Sequence, residues 1–317
     1  MKRLLIIDGM NLFIRNYVMS PQLDVNGKPI GGLTGFMRSL QKEVRRAKPD
    51  RVVICWEGPG GSQKRREKNK NYKVGRKAPR LNRAYEFNSP EEEKENKYAQ
   101  LVRLTEYLDH LPLLQLSLES VEADDIIAWL VHCGEYADWQ KLIISNDRDF
   151  IQLCDDKTVL VRPGKNEEVL NQNKVLEQYN IHPRNFAWAR AITGDKSDNL
   201  EGVKGLGLAT VAKRFSFLSE NKDYGLKDIM THAKNNSSKI KAYQNVLDNE
   251  EIIASNYDIM QLYTSTISSQ GAQKLKYAVK NDGVDLNRSQ IRKMLLKDGI
   301  GTLNIDELML MLNSHKK

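Results

Sequence analysis

The stretch "KLIISNDRDF", residues 141–150, joins an apolar run to two acids, Asp147 and Asp149. Two other runs have the same form: "RLLIID" ends at Asp8 and "RVVICWE" ends at Glu57. Continuous Val, Ile and Leu without alternation is typical of strands buried on both faces of a parallel sheet. In open α/β sheets the functional crevice lies beyond the carboxyl ends of the strands. We therefore expect these four acids to gather at one edge of a sheet.

A simpler explanation applies to any single strand of this kind. Asp is a poor strand former that favours turns, so an acid can end a strand without any further role. Three strands that each end on an acid instead favour the interpretation that these acids form one site.

Helical patterns alternate with the strands. Residues 31–47 carry apolar side chains at helical spacing, and Ser89 is a good N-cap for a second long helix. Strands are predicted over 51–57, 141–147 and 158–163, and beyond about residue 167 only helical patterns remain. This order predicts an α/β fold with a mostly parallel central sheet and helices on both faces. We expect an α/β core over residues 1–166 and a helical region over 167–317, whose apolar last helix belongs to a core.

Length and composition exclude several classes of protein. The 317 residues are 40% hydrophobic and 28% charged, as in ordinary globular proteins. No apolar run approaches the roughly 20 residues of a membrane span, and the first run stops at Asp8, too early for a signal peptide. Cys55, Cys133 and Cys154 form no CxxC pair, which suits a reducing cytoplasm and argues against disulfides or a thiolate zinc site. The five histidines are scattered, so a His-based metal site or a Ser/His/Asp triad has little support.

The net charge of +8 is concentrated in one segment. Residues 62–83, "SQKRREKNKNYKVGRKAPRLNR", hold ten Lys or Arg and one acid, a local charge of +9, which leaves about −1 for the rest of the chain. Such a segment is the electrostatic footprint of a polyanionic partner, although a solvated surface loop would carry the same charges. Because it is too charged to pack, we expect it to project from the core.

Two further acidic groups extend the set. "VEADD" places Glu122, Asp124 and Asp125 at the start of an apolar helix, and "GDKSDN" adds Asp195 and Asp198. The helix dipole favours one or two acids there, but three within four residues exceed that need. Packed without cations, nine carboxylates would raise each other's pKa values and destabilise the fold. Oxygen ligands favour Mg²⁺ or Mn²⁺ over zinc, and two such ions can activate a water and stabilise the leaving oxygen in phosphodiester hydrolysis.

Four motifs occur in a fixed order: "LIIDGMN", "VEADD", "SNDRDF" and "ITGDKSDNLEGVKGLGLATVAK". Together they resemble the 5′ nuclease superfamily of flap endonucleases and 5′–3′ exonucleases, and the chain length is similar to its phage-type members. The similarity covers about residues 3–215. It implies that Asp8, Glu122 and Asp124 lie at metal-site positions. Further metal-site positions, some acting through water, fall on Asp125, Asp147, Asp149, Asp195 and Asp198. Glu57 stands where the family usually has Asp, and its implied role is direct or outer-shell ligation.

The resemblance also implies residues for DNA contact. Residues 202–215 are similar to the family's helix–turn–helix for the DNA backbone, where glycines let a phosphate approach. The basic segment resembles its helical arch, about residues 58–98. In the arch, "YKVGR" matches a Tyr-Lys-x-x-Arg pattern, and a helical turn would place Lys73 and Arg76 on one face for catalysis beside Tyr72. The implied DNA-binding residues are Gly202, Lys204, Gly205, Gly207 and Lys213 in the turn and Lys64 and Arg80 in the arch.

The residues and the resemblance together predict a metal-dependent, structure-selective 5′ nuclease. By similarity it cleaves 5′ flaps, acts as a 5′–3′ exonuclease and removes RNA primers in DNA replication, with ribonuclease H-like activity. The expected cofactors are two Mg²⁺ ions, with Mn²⁺ as a substitute, and K⁺ at the glycine-rich turn. The expected partners are flapped, nicked or forked DNA, RNA–DNA hybrid and replication proteins such as a single-strand-binding protein. We expect a monomer in the cytoplasm, that of the host if phage-encoded. A PIN-like ribonuclease and a non-catalytic DNA-binding protein on the same fold remain open alternatives.

Overall fold

The computed structural model describes residues 1–76, 80–81, 85–238, 240–263, 266–281, 285–300 and 303–314. The strands are β1 (Arg3–Asp8), β2 (Arg51–Cys55), β3 (Leu114–Leu116), β4 (Gln140–Ile144), β5 (Thr158–Arg162) and β6 (Glu168–Leu170). The first helices are α1 (Gly9–Met19), α2 (Gly31–Ala47), α3 (Gln63–Lys68), α4 (Pro90–Leu108), α5 (Ala123–His132), α6 (Gln172–Tyr179) and α7 (Pro183–Thr193). They are followed by α8 (Leu208–Arg214), α9 (Leu226–Asn236), α10 (Lys241–Leu247), α11 (Glu250–Met260), α12 (Ser269–Lys280), α13 (Arg288–Lys297) and α14 (Asp306–Ser314). None of the described helices combines the length and the apolarity that a bilayer span requires.

Within the described residues, six strands form one sheet in the order β3-β2-β1-β4-β5-β6. Each neighbouring pair is parallel except β5 and β6, which are antiparallel. The predicted α/β fold with a mostly parallel sheet is therefore confirmed. β1 lies between β2 and β4, so its carboxyl end is flanked by the ends of both neighbours.

The strands differ from the predicted ones in three details. β2 ends at Cys55 and β4 at Ile144, earlier than predicted. After β4, side-chain oxygens accept the backbone N–H groups of Asp147 and Asp149. These hydrogen bonds take the place of those that a strand would make with its neighbour. The short edge strand β6 also lies beyond residue 167, where only helices were predicted. Three residues are too few to show a strand pattern in the sequence.

Helices cover both faces of the sheet, as predicted. Side chains of a strand alternate between its faces, and β1 divides its apolar residues accordingly. Leu5 and Ile7 belong to the cluster that α1, α2 and α4 build, whereas Leu4 and Ile6 belong to the cluster built by α5, α7 and later helices. α2 has the predicted bounds, and the hydroxyl of Ser89 caps α4 by accepting the N–H of Glu92 at 3.1 Å.

The last two helices belong to the same apolar cluster as Leu5 of β1, and α14 packs on α2. Ile305, Leu308 and Leu312 are buried in that cluster, so the predicted core role of the last helix is confirmed. On its polar side, Glu307 accepts hydrogen bonds from α2. The expected division of the chain near residue 167 remains a prediction, and α13 and α14 pack with the N-terminal layer.

Leu308→Ala should lower the free energy of unfolding by about 2–5 kcal/mol, because the fully buried side chain would leave a cavity. Leu310→Ala is the matched control in the same helix. Because Leu310 is 59% exposed, this change should lower the free energy of unfolding by no more than about 0.5 kcal/mol. Urea unfolding followed by circular dichroism measures both. Equal losses for the two variants would contradict the described docking of α14.

Candidate active site and DNA-binding turn

Hydrogen bonds fix two acids at the carboxyl edge of the sheet. Asp8, the last residue of β1, is 6% exposed and accepts the backbone N–H of Asn11 at 3.1 Å. The hydroxyl of Ser145 donates to Asp8 Oδ2 at 2.8 Å and accepts the N–H of Asp147 at 3.1 Å. Ser145 therefore connects the end of β1 with the segment after β4, and it holds the two acidic residues in a fixed relation.

Burial and mutual repulsion make negative charge costly at this edge. Burial raises the pKa of Asp8 to about 6, and the charge of Asp147 adds to the shift. The pKa of Asp124, in the first turn of α5, is raised well above its usual value by burial and then by the charges of Asp147 and Glu122. Asp8, Asp124 and Asp147 line one cleft of about 660 Å³. A bound cation would relieve this repulsion.

Asp149 and Asp195 share one arginine of α7. Arg190 Nε lies 3.1 Å from Asp149 Oδ1, and the same guanidinium pairs with Asp195. Burial raises the pKa of Asp149 to about 7, with a further contribution from the charge of Asp147. The pKa of Asp195 is lowered despite its burial, because Ser197 donates hydrogen bonds to it and Arg190 is close. Two of the predicted metal-site carboxylates are therefore held together by a cation of the chain.

The start of the basic segment packs on the acids. Arg65 of α3 is 6% exposed and donates to Glu122 at 2.7 Å and to both oxygens of Asp125 at 2.9 and 3.2 Å. Arg65 Nε also donates to the carbonyl of Ile259, near the C-terminal end of α11, at 3.0 Å. Bidentate, hydrogen-bonded pairing offsets the cost of burying these charges. The expectation that the segment is too charged to pack is therefore wrong for the buried Arg65, whereas its neighbour Arg66 is exposed as expected.

The "YKVGR" motif forms a tight turn, so the predicted helical turn is wrong. Lys73 and Gly75 have φ angles of 56° and 69°, which are left-handed. The N–H of Lys73 donates to the carbonyl of Asp198 at 3.0 Å instead of to a helical partner. The turn still directs both cations at acids, since Lys73 Nζ lies 2.9 Å from Glu122 Oε1 and Arg76 pairs with Asp198.

Tyr72 anchors this turn in the protein. It is 3% exposed and belongs to a small apolar cluster with Leu200, Ile259 and Met260. Its hydroxyl lies 3.3 Å from Glu122 Oε2 and donates to it. The side chain therefore holds the turn against the acidic edge.

Three other predicted residues lie at the rim or outside the cleft. Glu57 is exposed and lines the rim of the cleft that holds Asp8. Lys64 donates from Nζ to the carbonyl of Thr266 at 2.6 Å, so its ammonium group is engaged within the chain. Arg80 is exposed, and the parts of the predicted arch at 77–79 and 82–84 lie outside the described residues.

The nine predicted metal-site carboxylates divide by their partners. In the part of the chain that the structure describes, no three His, Cys, Asp or Glu side chains come close enough to share one metal ion as they stand. Five carboxylates form ion pairs there: Glu122, Asp125, Asp149, Asp195 and Asp198. Among the same described residues, Glu57 at the rim forms no ion pair, and neither do Asp8, Asp124 and Asp147 in the cleft. Their donors are carboxylate oxygens at rigid strand and helix ends, a donor set that fits Mg²⁺ or Mn²⁺.

The glycine-rich turn lines a second cleft of about 1180 Å³. Gly202 is required by packing, because a Cβ there would lie 2.0 Å from the carbonyl oxygen of Thr193. Gly205 has a φ of +84° and Gly207 is extended at −96°, and a Cβ on either would meet no atom within 4 Å. These two glycines therefore expose backbone to which another molecule can approach closely. Lys204 in the turn and Lys213 in α8 are both exposed.

A comparison with protein families identifies the chain. The family model for the N-terminal, resolvase-like domain of 5′–3′ exonucleases matches residues 3–180. The chain belongs to the 5′–3′ exonuclease family. As a 5′–3′ exonuclease family member it is a nuclease that hydrolyses phosphodiester bonds.

Similar proteins agree with this assignment. A 5′–3′ exonuclease of Buchnera aphidicola is 29% identical over 253 residues, which cover 77% of this chain and 82% of the relative. DNA polymerase I of Thermus aquaticus is 32% identical over 212 residues, but the chain spans only 23% of that polymerase. The 5′-exonuclease of phage T5 solved with zinc has a TM-score of 0.66 at 20% identity and covers 94% of this chain and 100% of its own. The structure of human GEN1 with Holliday junction DNA has a TM-score of 0.55 at 12% identity. It covers 99% of this chain and 72% of the GEN1 chain. At these identities the solved structures show a shared fold.

Sequence reasoning missed three side chains that organise this exonuclease-family site: Arg65, Arg190 and Asn199. Arg65 was one of ten similar cations in the basic segment, and its acidic partners are 57 and 60 residues away. Asn199 donates to the carbonyl groups of Asn71, just before the "YKVGR" motif, and of Val74 within it. Its place beside Asp198 was the available signal in the sequence. The structure adds a left-handed φ of 58°, a conformation that Asn tolerates better than most residues.

Arg65→Ala should lower the free energy of unfolding by about 3–5 kcal/mol, because it leaves Glu122 and Asp125 buried without this cation. Its exposed neighbour provides the control: Arg66→Ala should change stability by no more than about 0.5 kcal/mol. Urea titration at neutral pH measures both losses. A near-neutral Arg65→Ala variant would show that the acids do not depend on this pair.

Proposed function

We propose that the chain is a metal-dependent, structure-selective 5′ nuclease that cleaves 5′ flaps and acts as a 5′–3′ exonuclease. The observation that carries the proposal is the acidic cleft lined by Asp8, Asp124 and Asp147, with Lys73 at its side. The glycine-rich turn, which exposes backbone at Gly205 and Gly207, supplies a second surface for duplex DNA. The flap endonuclease of phage T5, solved with DNA and metal ions, has the same fold at a TM-score of 0.62.

The acids are proposed to hold two divalent cations, Mg²⁺ or Mn²⁺. Asp8, Asp124 and Asp147 would bind them, while Glu57, Glu122 and the remaining paired carboxylates listed above orient water or side chains around them. When bound, such ions activate a water and stabilise the leaving oxygen. The fixed positions of Asp8 and Asp147 reduce the reorganisation that ligand binding requires.

Lys73 and Arg76 are proposed to stabilise charge on the reacting phosphate. Burial would lower the pKa of Lys73, but the charges of Asp124 and Glu122 outweigh it and raise the pKa, so Lys73 stays cationic at neutral pH. Cations that are already oriented stabilise developing negative charge more than mobile ones. Arg76 can also bind a phosphate with two N–H groups. Tyr72 keeps both in place through its buried ring.

The substrate is proposed to be a flapped, nicked or forked duplex, with RNA–DNA hybrid accepted during primer removal. Backbone N–H groups at Gly205 and Gly207, with Lys204 and Lys213, would contact phosphates without reading bases. K⁺ is proposed to bind at the same turn. We place the reaction in the cytoplasm, where the three buried free cysteines stay reduced.

Asp147→Asn should lower the single-turnover cleavage rate of a 5′-flap duplex in Mg²⁺ at least about a hundredfold, roughly 2.7 kcal/mol, because it removes a carboxylate of the cleft. DNA binding should be retained or tighter, since one negative charge is lost. Asp138→Asn, whose side chain is 97% exposed, is the matched control and should cleave normally.

The same assay distinguishes the other functions. Wild-type protein is given the flap duplex and a matched single-stranded RNA, each with and without Mg²⁺. Preference for the RNA would favour a PIN-like ribonuclease, and flap binding without cleavage would favour a DNA-binding protein. Cleavage of the flap by Asp147→Asn within a few-fold of wild type would contradict the assigned site.

Gly207→Val should weaken duplex binding at least about tenfold, roughly 1.4 kcal/mol, while binding of single-stranded DNA changes little. The position is extended and has open space, so the new side chain crowds an approaching phosphate rather than the protein. Gly134→Val is the control, because that glycine also has open surroundings but lies in a short helix before β4. Fluorescence anisotropy measures the affinities, and equal losses on duplex and single strand would exclude the turn as the duplex anchor.

A further inference from the structure

A small closed loop lies between the acids and the glycine-rich turn. Asp195 and Leu200 each donate a backbone N–H to the carbonyl of the other at 2.8 Å, which closes the segment that we call the Asp195–Leu200 loop. Two residues further on, Gly202 packs its backbone against Thr193. The loop is therefore fixed at its base to the segment that begins the proposed duplex-binding turn.

The tip of this loop supports the "YKVGR" turn through several contacts. The carbonyl of Asp198 accepts the N–H of Lys73 at 3.0 Å, and the carbonyl of Ser197 accepts Arg76 Nε at 3.1 Å. The amide of Asn199 donates to the carbonyl groups of Asn71 at 3.1 Å and Val74 at 2.5 Å. Asn199 thus contacts both sides of the turn that carries Lys73.

We propose that Asn199 is a positioning residue that fixes the "YKVGR" turn, and through it Lys73 and Arg76, over the acidic cleft. This role presupposes the nuclease function proposed above. Lys73 has a left-handed backbone, which a non-glycine residue keeps only when its surroundings hold it there. Asn199 supplies two donors from one planar group, and an Asp of the same shape would supply none.

The contact also relates the turn to the duplex. Because the Asp195–Leu200 loop leads directly into Gly202, one rigid segment carries both the proposed duplex anchor and the support of Lys73. A duplex bound at Gly205 and Gly207 would then meet these cations at a constant distance. The specific consequence is that a change at Asn199 should lower the cleavage rate of the bound DNA and leave the affinity for duplex DNA unchanged.

The test uses Asn199→Gly, which keeps the left-handed backbone and removes both donors. We expect its single-turnover rate on a 5′-flap duplex at saturating enzyme to fall at least about tenfold, with the duplex Kd within twofold of wild type. Asn199→Asp should show the same loss of rate. The matched control is Asn180→Gly, since Asn180 has a similar left-handed φ of 51° at the end of α6 and should change neither quantity. A rate for Asn199→Gly within twofold of wild type would overturn the proposal.

A double-mutant cycle asks whether Asn199 acts through the two cations. Asn199→Gly is added to a variant that carries Lys73→Ala and Arg76→Ala. If its effect passes through them, the further loss of rate should be less than twofold. A full tenfold further loss would show an independent effect and would contradict the positioning role.

A measurement without cleavage separates this proposal from the nuclease function. Trypsin cuts after Lys73 and Arg76 when local opening exposes the turn. In metal-free buffer, Asn199→Gly should be cut there several-fold faster than wild type, whereas Asn180→Gly should match wild type. Unchanged proteolysis would overturn the positioning role. Failure of the wild-type protein to cleave any flap would overturn only the proposed function.

Discussion

The cost of burying negative charge at the carboxyl edge of the sheet is the constraint on which the rest of the site depends. A parallel sheet with helices on both faces has a dry interior, so a carboxylate at its edge must be paired, protonated or bound by a cation. The chain pairs some of its acids permanently, as Arg190 does for Asp149 and Asp195. It leaves Asp8 and Asp124 with raised pKa values at the same edge. That division separates acids that support the structure from acids that remain available to a ligand.

The basic segment supplies part of the internal compensation. Lys64, Arg65 and Lys73 donate to groups of the protein itself. Fewer of its cations are therefore free to attract a polyanion than the local charge suggests. Long-range attraction would come from exposed members such as Arg66 and Arg80. The same stretch thus combines a buried part that organises acids with an exposed part that faces solvent.

The sheet and the position of its acids could be predicted because each depends on a local pattern. Continuous apolar runs indicate buried strands wherever they occur, and parallel strands place their ends at one edge. The packing of α3 could not be predicted, because a solvated arginine and a buried one look identical in a sequence. The Arg65 contact to Ile259 links residues 194 positions apart, and no local pattern encodes such a pairing. The three glycines of the turn also look identical in the sequence, although their surroundings differ. Gly202 is required by a backbone contact, whereas Gly205 and Gly207 face open space.

The packing of α14 on α2, in the apolar cluster that also contains Leu5 of β1, has a consequence for how the protein is made. Leu5 and Leu308 belong to one apolar cluster although roughly 300 residues separate them. At about 5–20 residues per second, the ribosome needs roughly 15–60 s to pass from one to the other. During that time the side of α2 that receives α14 remains uncovered, as an apolar surface that a chaperone can bind. The layer that contains β1 and α2 therefore completes its packing only after α14 has been made.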